Sequence, residues 1–448
     1  MPRTSEPKVS QPIFSEPKFA EVGPTSDPLA FGTPHPSDDG LYAEIAAIRR
    51  TGVVSFPASR MPDDAVFPLE HAYGSRGPEV TTAIRNAGRI VFHAVGDTGA
   101  SDVRKYQGEL RVADQLSVDC STSEASNRPS FFLHLGDVVY SFGESAYYYD
   151  QFYEPYRAYP APILAIPGNH DAFVLPGTPA GEEPLATFAR NFCSPERVIT
   201  REAGSLHRTA ATLPGVYFAL DAPFVRVIAL FSNSLEDPGL ISSEGGRWPG
   251  VPDIQLGFLA AQLRKVRTEG YRGAVLVATH HPPFAYEAPG GSGAASGNHS
   301  SSADMLRDID RVCLAEGVYP HAFLSAHAHS YQRYTRKVRF EGAEREVPFV
   351  VCGNGGHSVN PLVRSTRDRP AREPENGADM GHLEANPAVD VGGLKLEKYD
   401  DHEYGYLRVT VDSERLRVAY HQAGVRSLLQ SRFDLVTVDL ASHSIVAN

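Results

Sequence analysis

Apolar runs of strand length punctuate this chain, and most of them stop at a cluster of polar residues. Residues 89–95 (RIVFHAV) lead into Gly96-Asp97-Thr98-Gly99. Residues 129–135 lead into Gly136-Asp137-Val138-Val139-Tyr140, and 162–167 into Gly168-Asn169-His170-Asp171. A fourth run covers 225–230. The fifth, 274–279, ends at His280-His281, and the sixth, 321–325, at Ala326-His327-Ala328-His329. The seventh, 347–352, ends in Gly353-Asn354-Gly355-Gly356-His357. Their β-branched and aromatic content makes them strands. Pro348 suits the start of a strand better than its interior. Residues 405–412 and 416–420 predict a closing hairpin.

Helical spacing fills several gaps. Residues 103–116 predict a helix, and so does the tyrosine-rich stretch 144–158, with a break near Pro155. Leu256, Leu259 and Leu263 mark another. A short helix is expected around Leu41, Ile45 and Ile48, capped from Ser37-Asp38-Asp39. Strands alternating with helices give an α/β fold. Later strands follow one another with fewer helices, so the expectation is a four-layer α/β/β/α sandwich. Two stacked mixed sheets carry helices outside, and the polar clusters sit at strand C-terminal ends. One catalytic domain is expected over 41–448. Residues 1–40, rich in Pro, Ser and Glu, read as a disordered arm. Residues 52–88 read as irregular, and 358–400 as a long charged loop, either a lid or disordered.

Composition narrows the partners. A net charge of −12 argues against nucleic acid or an anionic membrane, and it requires local positive charge for any anionic substrate. No apolar run of 18 residues exists, so no membrane span is expected. The N-terminus lacks the apolar core of a signal peptide, which makes a cytoplasmic location the default expectation. Cys120, Cys193, Cys313 and Cys352 are scattered and form no thiolate zinc motif.

The chemistry lies in the strand ends. Alone, each residue has a plainer reading. Asp97 suits a turn, Asp137 a helix cap, Tyr140 a core position, and His280 a buried histidine bonded to a carbonyl. Asn169 suits a left-handed turn and His170 the surface. Together they form one donor set: Asp97, Asp137 with Tyr140, Asn169 with His170, His280, and His327 with His329. Carboxylate, phenolate, amide oxygen and imidazole suit two borderline-to-hard cations. Such a pair clamps the oxygens of an in-line displacement at phosphorus.

The ordered motifs resemble those of the calcineurin-like metallophosphoesterases, and within them the purple acid phosphatases. Asp97-Thr-Gly99, Gly136-Asp-Val-Val-Tyr140, Gly168-Asn-His-Asp171, Val277-Ala-Thr-His280 and Ala326-His-Ala-His329 carry the resemblance, which spans about 89–425. It implies that Asp97, Asp137, Tyr140 and His329 bind a ferric ion. Asp137 would bridge to a divalent ion (Fe, Zn or Mn), also held by Asn169, His280 and His327. His170 would contact the phosphate and protonate the leaving oxygen. The implied activity is phosphomonoester hydrolysis by in-line attack of a metal-bound hydroxide on a small-molecule phosphate ester. A phosphodiesterase or nucleotide pyrophosphatase with the same centre is the alternative, and a non-catalytic metal-binding scaffold is the alternative from another class. Three features depart from the pattern. Ala326 replaces a glycine. Neither the signal peptide nor the N-terminal β-domain of exported members is expected from residues 1–88. The further substrate histidine expected about nine residues after His280 is absent, Pro289-Gly290 standing there. His281 or His299 is left to fill that role.

Overall fold

A computed structural model describes residues 58–61, 64–174, 183–233, 239–286, 303–362, 374–383, 389–424 and 431–447. The expected arm over 1–40, the helix around Leu41 and His299 lie outside these residues. Among the described residues, two mixed sheets stack with helices outside them, giving the expected sandwich.

The chain enters through β1 (Val66–Pro68), α1 (Leu69–Tyr73) and α2 (Gly77–Ala87). Next come β2 (Arg89–Val95), α3 (Val103–Thr122), β3 (Phe132–His134), α4 (Ser145–Tyr148) and β4 (Ile163–Ala165). The middle holds α5 (Ala186–Phe192), β5 (Phe218–Ala222), β6 (Val225–Ala229), α6 (Ile254–Thr268), β7 (Ala274–Ala278), α7 (Ala303–Glu316) and β8 (Ala322–Ser325). After β9 (Tyr331–Phe340) and β10 (Ala343–Cys352) come β11 (Ala378–Asp379), β12 (His382–Leu383), β13 (Val389–Asp390) and β14 (Leu394–Asp400). The chain closes with β15 (Gly405–Asp412), β16 (Arg415–Gln422), β17 (Ser431–Asp439) and β18 (Ser444–Val446).

One sheet runs β1-β5-β6-β7-β8-β10-β9-β14-β11, the other β18-β17-β16-β15-β2-β3-β4. Strands β2, β3 and β4 are parallel, with Val95, His134 and Ala165 in register. In the larger sheet β6, β7, β8 and β10 are parallel. Every residue of β7 and β8 is buried, which explains their unbroken apolar runs. Parallel strands send their C-terminal loops to one edge, and the polar clusters gather there.

Several elements differ from expectation. Residues 66–87, within the stretch read as irregular, form β1, α1 and α2. Strand β1 pairs with the distant β5, and α2 carries Pro78 near its start and left-handed Gly88 at its end. The stretch 358–400 is no single loop, because Leu394–Asp400 is a strand bonded to β9. Strand β9 escapes a hydrophobic reading because it is charged. Its Arg333 and Arg336 are neutralised by Asp434 and Asp310, which lie elsewhere in the fold. Pro348 lies inside β10, yet the pairing of β10 with β8 begins only at Phe349, and before it the Glu346 N–H donates to His443 O. In the tyrosine-rich stretch α4 gives way to one π-helical turn over Tyr149–Tyr153.

Candidate metal centre

Three of the polar loop residues hold left-handed backbone: Asp97 (φ 56°), Asp137 (φ 55°) and His327 (φ 65°). Non-glycine residues are strained there and persist where the surroundings demand it. Neighbouring glycines provide the room. A Cβ on Gly136 would sit 2.5 Å from His280 Nδ1, and one on Gly353 would sit 2.6 Å from Asp97 Oδ2. One on Gly168 would collide with the Asp137 carboxylate. Ala326 is not left-handed, and Gly96 leaves space for its methyl group, so the alanine is compatible with the turn.

The side chains fall into two groups. In the first, the Tyr140 hydroxyl donates to Asp97 Oδ1 at 2.9 Å and lies 3.1 Å from His329 Nε2, itself 3.2 Å from Asp97 Oδ1. In the second, Asn169 Oδ1 lies 3.0 Å from His280 Nε2 and 3.1 Å from His327 Nδ1. His280 Nε2 is 3.4 Å from Asp137 Oδ2. Asp137, His280 and His327, all buried, bring one donor atom each within 4.8 Å of one another. The His327 N–H donates to Asp97 Oδ2 at 2.7 Å and joins the two groups.

Other residues aim these donors. His280 Nδ1 donates to Leu135 O at 2.8 Å, which leaves Nε2 for the centre. His329 Nδ1 meets Ser358 Oγ at 2.6 Å. Asp171 accepts from the N–H groups of Gly168, Val138 and Val139, binding the second and third loops together. Asn233 Nδ2 donates to Pro167 O at 2.6 Å and holds the loop from the other sheet. Ser358 and Asn233 carry no signal of their own in the sequence. Asp171 stands inside a motif, which marked its place but not its work. His170 donates Nδ1 to Ser141 O at 2.8 Å, with Nε2 4.0 Å from Asp137 Oδ2. His281 is fully buried, with Nδ1 3.0 Å from Ser232 Oγ and its ring 4.2 Å from that of His327.

Burial dominates the electrostatics. It pushes Asp97 up to about 8 against the pull of His280, with Asp137 adding to the rise. Burial would also raise Asp137, but His280 and His170 outweigh it and hold that carboxyl far below the usual range. Burial pulls His280 down, yet the Asp137 charge lifts it to about 9. Burial takes His329 down to about 3. It raises the Tyr140 phenol well above its usual range, helped by the charges of Asp137 and Asp97.

Among the described residues no lysine or arginine pairs with Asp97 or Asp137. Buried carboxylates need compensation, and imidazoles that must stay neutral to bind a metal do not supply it. Two carboxylates, a phenol, an amide oxygen and three imidazoles, with no lysine or arginine paired to the carboxylates among the described residues, fit metal ions in chemistry and in spacing.

A family model described as calcineurin-like phosphoesterase matches residues 90–331, just over half of the chain. The chain belongs to the calcineurin-like phosphoesterase family. The match runs from β2 to the first residue of β9 and includes all five motif loops. Metal-dependent phosphoester hydrolysis is what membership implies. Solved structures also align with this calcineurin-like phosphoesterase. GAP50, titled the anchor in the inner membrane complex of Plasmodium, is 8% identical, with a TM-score of 0.47 over 77% of this chain and 88% of that one. PhoD is 12% identical, with a TM-score of 0.45 over 79% of this chain and 70% of that one. No curated protein matches the sequence. Among the described residues no helix is long and apolar enough to cross a membrane.

Proposed function

We propose that this calcineurin-like phosphoesterase is a dinuclear enzyme of the acid phosphatase type, acting on small phosphomonoesters. The observation that carries the reading is the pair of donor groups joined through His327 N and Asp97. Asp97, Tyr140 and His329 would hold a ferric ion. Asn169, His280 and His327 would hold a divalent one, with Asp137 shared between them. A phenol that burial keeps protonated gives up its proton only to a strongly attracting cation, which favours iron(III) on the Tyr140 side.

Two cations bound there neutralise phosphate charge and acidify a water. The chain's own residues do the rest. His280 and His329 are locked by Leu135 O and Ser358 Oγ, so the donors cost no reorganisation when charge develops. His170 has Nδ1 on Ser141 O, which leaves Nε2 to carry a proton to the leaving oxygen as the P–O ester bond breaks. The test is metal analysis together with assays of metal-loaded protein on p-nitrophenyl phosphate and bis(p-nitrophenyl) phosphate. Two metals per chain and a preference for the monoester are expected. A preference for the diester would favour the phosphodiesterase alternative, and two bound metals with neither activity the scaffold alternative.

A further inference from the structure

Tyr140 lies in a loop, and neither its N–H nor its C=O has a main-chain partner among the described residues. One side chain serves both groups. Tyr140 N–H donates to Gln151 Oε1 at 2.8 Å, and Gln151 Nε2 donates to Tyr140 O at 2.5 Å. Gln151 is buried, and a carboxamide suits the place because its head carries an acceptor and a donor side by side. It does for Tyr140 what a neighbouring strand does for other buried peptide groups.

Two features deliver this amide. Gln151 stands in the π-helical turn, where Glu154 N–H donates to Tyr149 O at 2.8 Å, five residues back. The wide turn puts Gln151, Phe152 and Tyr153 all inside. Phe152 packs edge-on to Phe192 at 5.1 Å, and the Tyr153 hydroxyl donates to Asn191 Oδ1 at 2.7 Å, so α5 holds the turn. On the other side Gly99, the glycine of the first motif, makes room: a Cβ there would lie 2.9 Å from Gln151 Oε1. The Tyr140 ring is packed between His357 and His170, with centroids 3.5 and 4.1 Å away, and His357 Nδ1 lies 2.8 Å from Gly99 O. With both ring faces covered and the main chain held, the hydroxyl has one place to stand, beside Asp97 and His329.

We infer that Gln151 is a positioning residue of the metal centre: its amide fixes the main chain of Tyr140 and thereby the point at which the phenolic oxygen meets a metal. This rests on the dinuclear reading above and deepens it. A ligand must be held within about 0.5 Å of its productive place, and a residue that orients one commonly changes metal affinity by about 10–100-fold.

A double-mutant cycle read by metal release tests this. Metal-loaded full-length protein is challenged with EDTA, and the loss of each metal is followed. The metal whose release Tyr140→Phe speeds is the one on the Tyr140 side. Gln151→Met keeps the length of the side chain, removes both hydrogen bonds, and should speed release of that same metal by about tenfold or more. In the Tyr140→Phe background it should add nothing, because the oxygen it positions is gone. Phe152→Leu, a buried neighbour in the same turn, should lower the melting temperature without biasing release. Additive effects of Gln151→Met in the two backgrounds overturn the inference, and so does an equal bias from Phe152→Leu. If Gln151→Met does not fold, Gln151→Asn, one methylene too short to reach both groups, enters the same cycle with the same outcomes. A Tyr140→Phe protein that releases both metals as wild type does would sink the ligand reading of Tyr140, and this inference with it. A wild type that holds both metals but hydrolyses no ester would sink the enzymatic reading alone.

Discussion

Tyr140 donates its hydroxyl to Asp97 at 2.9 Å, from a loop of a neighbouring strand, and the same oxygen lies 3.1 Å from His329. Three donors from three loops thus meet at one point. If iron(III) occupies that point, tyrosinate-to-iron charge transfer will colour the protein. Tyr140→Phe removes one oxygen and should abolish the visible band while the fold persists. A visible spectrum with iron analysis checks this. Stoichiometric iron(III) with an unchanged band in the mutant would remove Tyr140 from the centre.

Asp137 is within reach of His280 and in electrostatic contact with Asp97 and Tyr140. One shared carboxylate predicts that Asp137→Ala lowers metal content at both positions and abolishes hydrolysis. Elemental analysis of the purified mutant decides; two metals per chain would refute the sharing.

His170 differs from the buried donors in having 14% of its side chain exposed. His170→Ala should cut turnover by about 10²–10⁴-fold, the usual cost of losing an acid–base group, with metal content near normal. Loss of a metal ion would show that His170 is itself a ligand.

Metal-stripped protein should lose stability as pH rises above about 6.5. Asp97 is raised from 3.8 to about 8 and Asp171 to about 7, both mainly by burial, so these two groups hold their protons in the folded state where the unfolded chain has lost them. His280, raised to about 9, extends the loss upward from its ordinary 6.5. Asp137 works the other way, but only below its unfolded value of 3.8. Buried His329 and His134, both lowered from 6.5 to about 3, work the other way up to their ordinary value, so the melting temperature of stripped protein should fall between about pH 6.5 and 9. Metal-loaded protein should lack that fall, because cations replace the protons. Parallel melting curves of both forms check it; a stripped form whose stability rises over this range would contradict the assignment of buried, protonated carboxyls.

Asn233 ties the Asn169 loop to the opposite sheet through Pro167 O. Asn233→Ala should weaken retention of the metal on the Asn169, His280 and His327 side more than on the Tyr140 side. Metal competition with a chelator measures it, and equal loss from both positions would assign Asn233 a general structural role.

The fold class and the donor residues are legible in the sequence because both are written locally. Buried parallel strands such as β7 and β8 must be apolar throughout, and the turn that follows each must present its polar residues next, so Asp97, Asp137, Asn169, His280, His327 and His329 mark themselves by position. Strands β1, β9 and β14 are not legible. They are short or charged, and what holds them is pairing with distant partners and ion pairs such as Arg333–Asp434, which no local period records. The same holds within the site. That His280 turns Nε2 inward follows from Leu135 O, and that His281 backs His327 follows from Ser232. That His357 lies on Tyr140 follows from Gly99 O. Each is a contact between segments far apart in the chain, and ring orientation is set by the far partner. The amino-acid order supplies the donors; only the stacking of the two sheets decides which nitrogen each histidine presents.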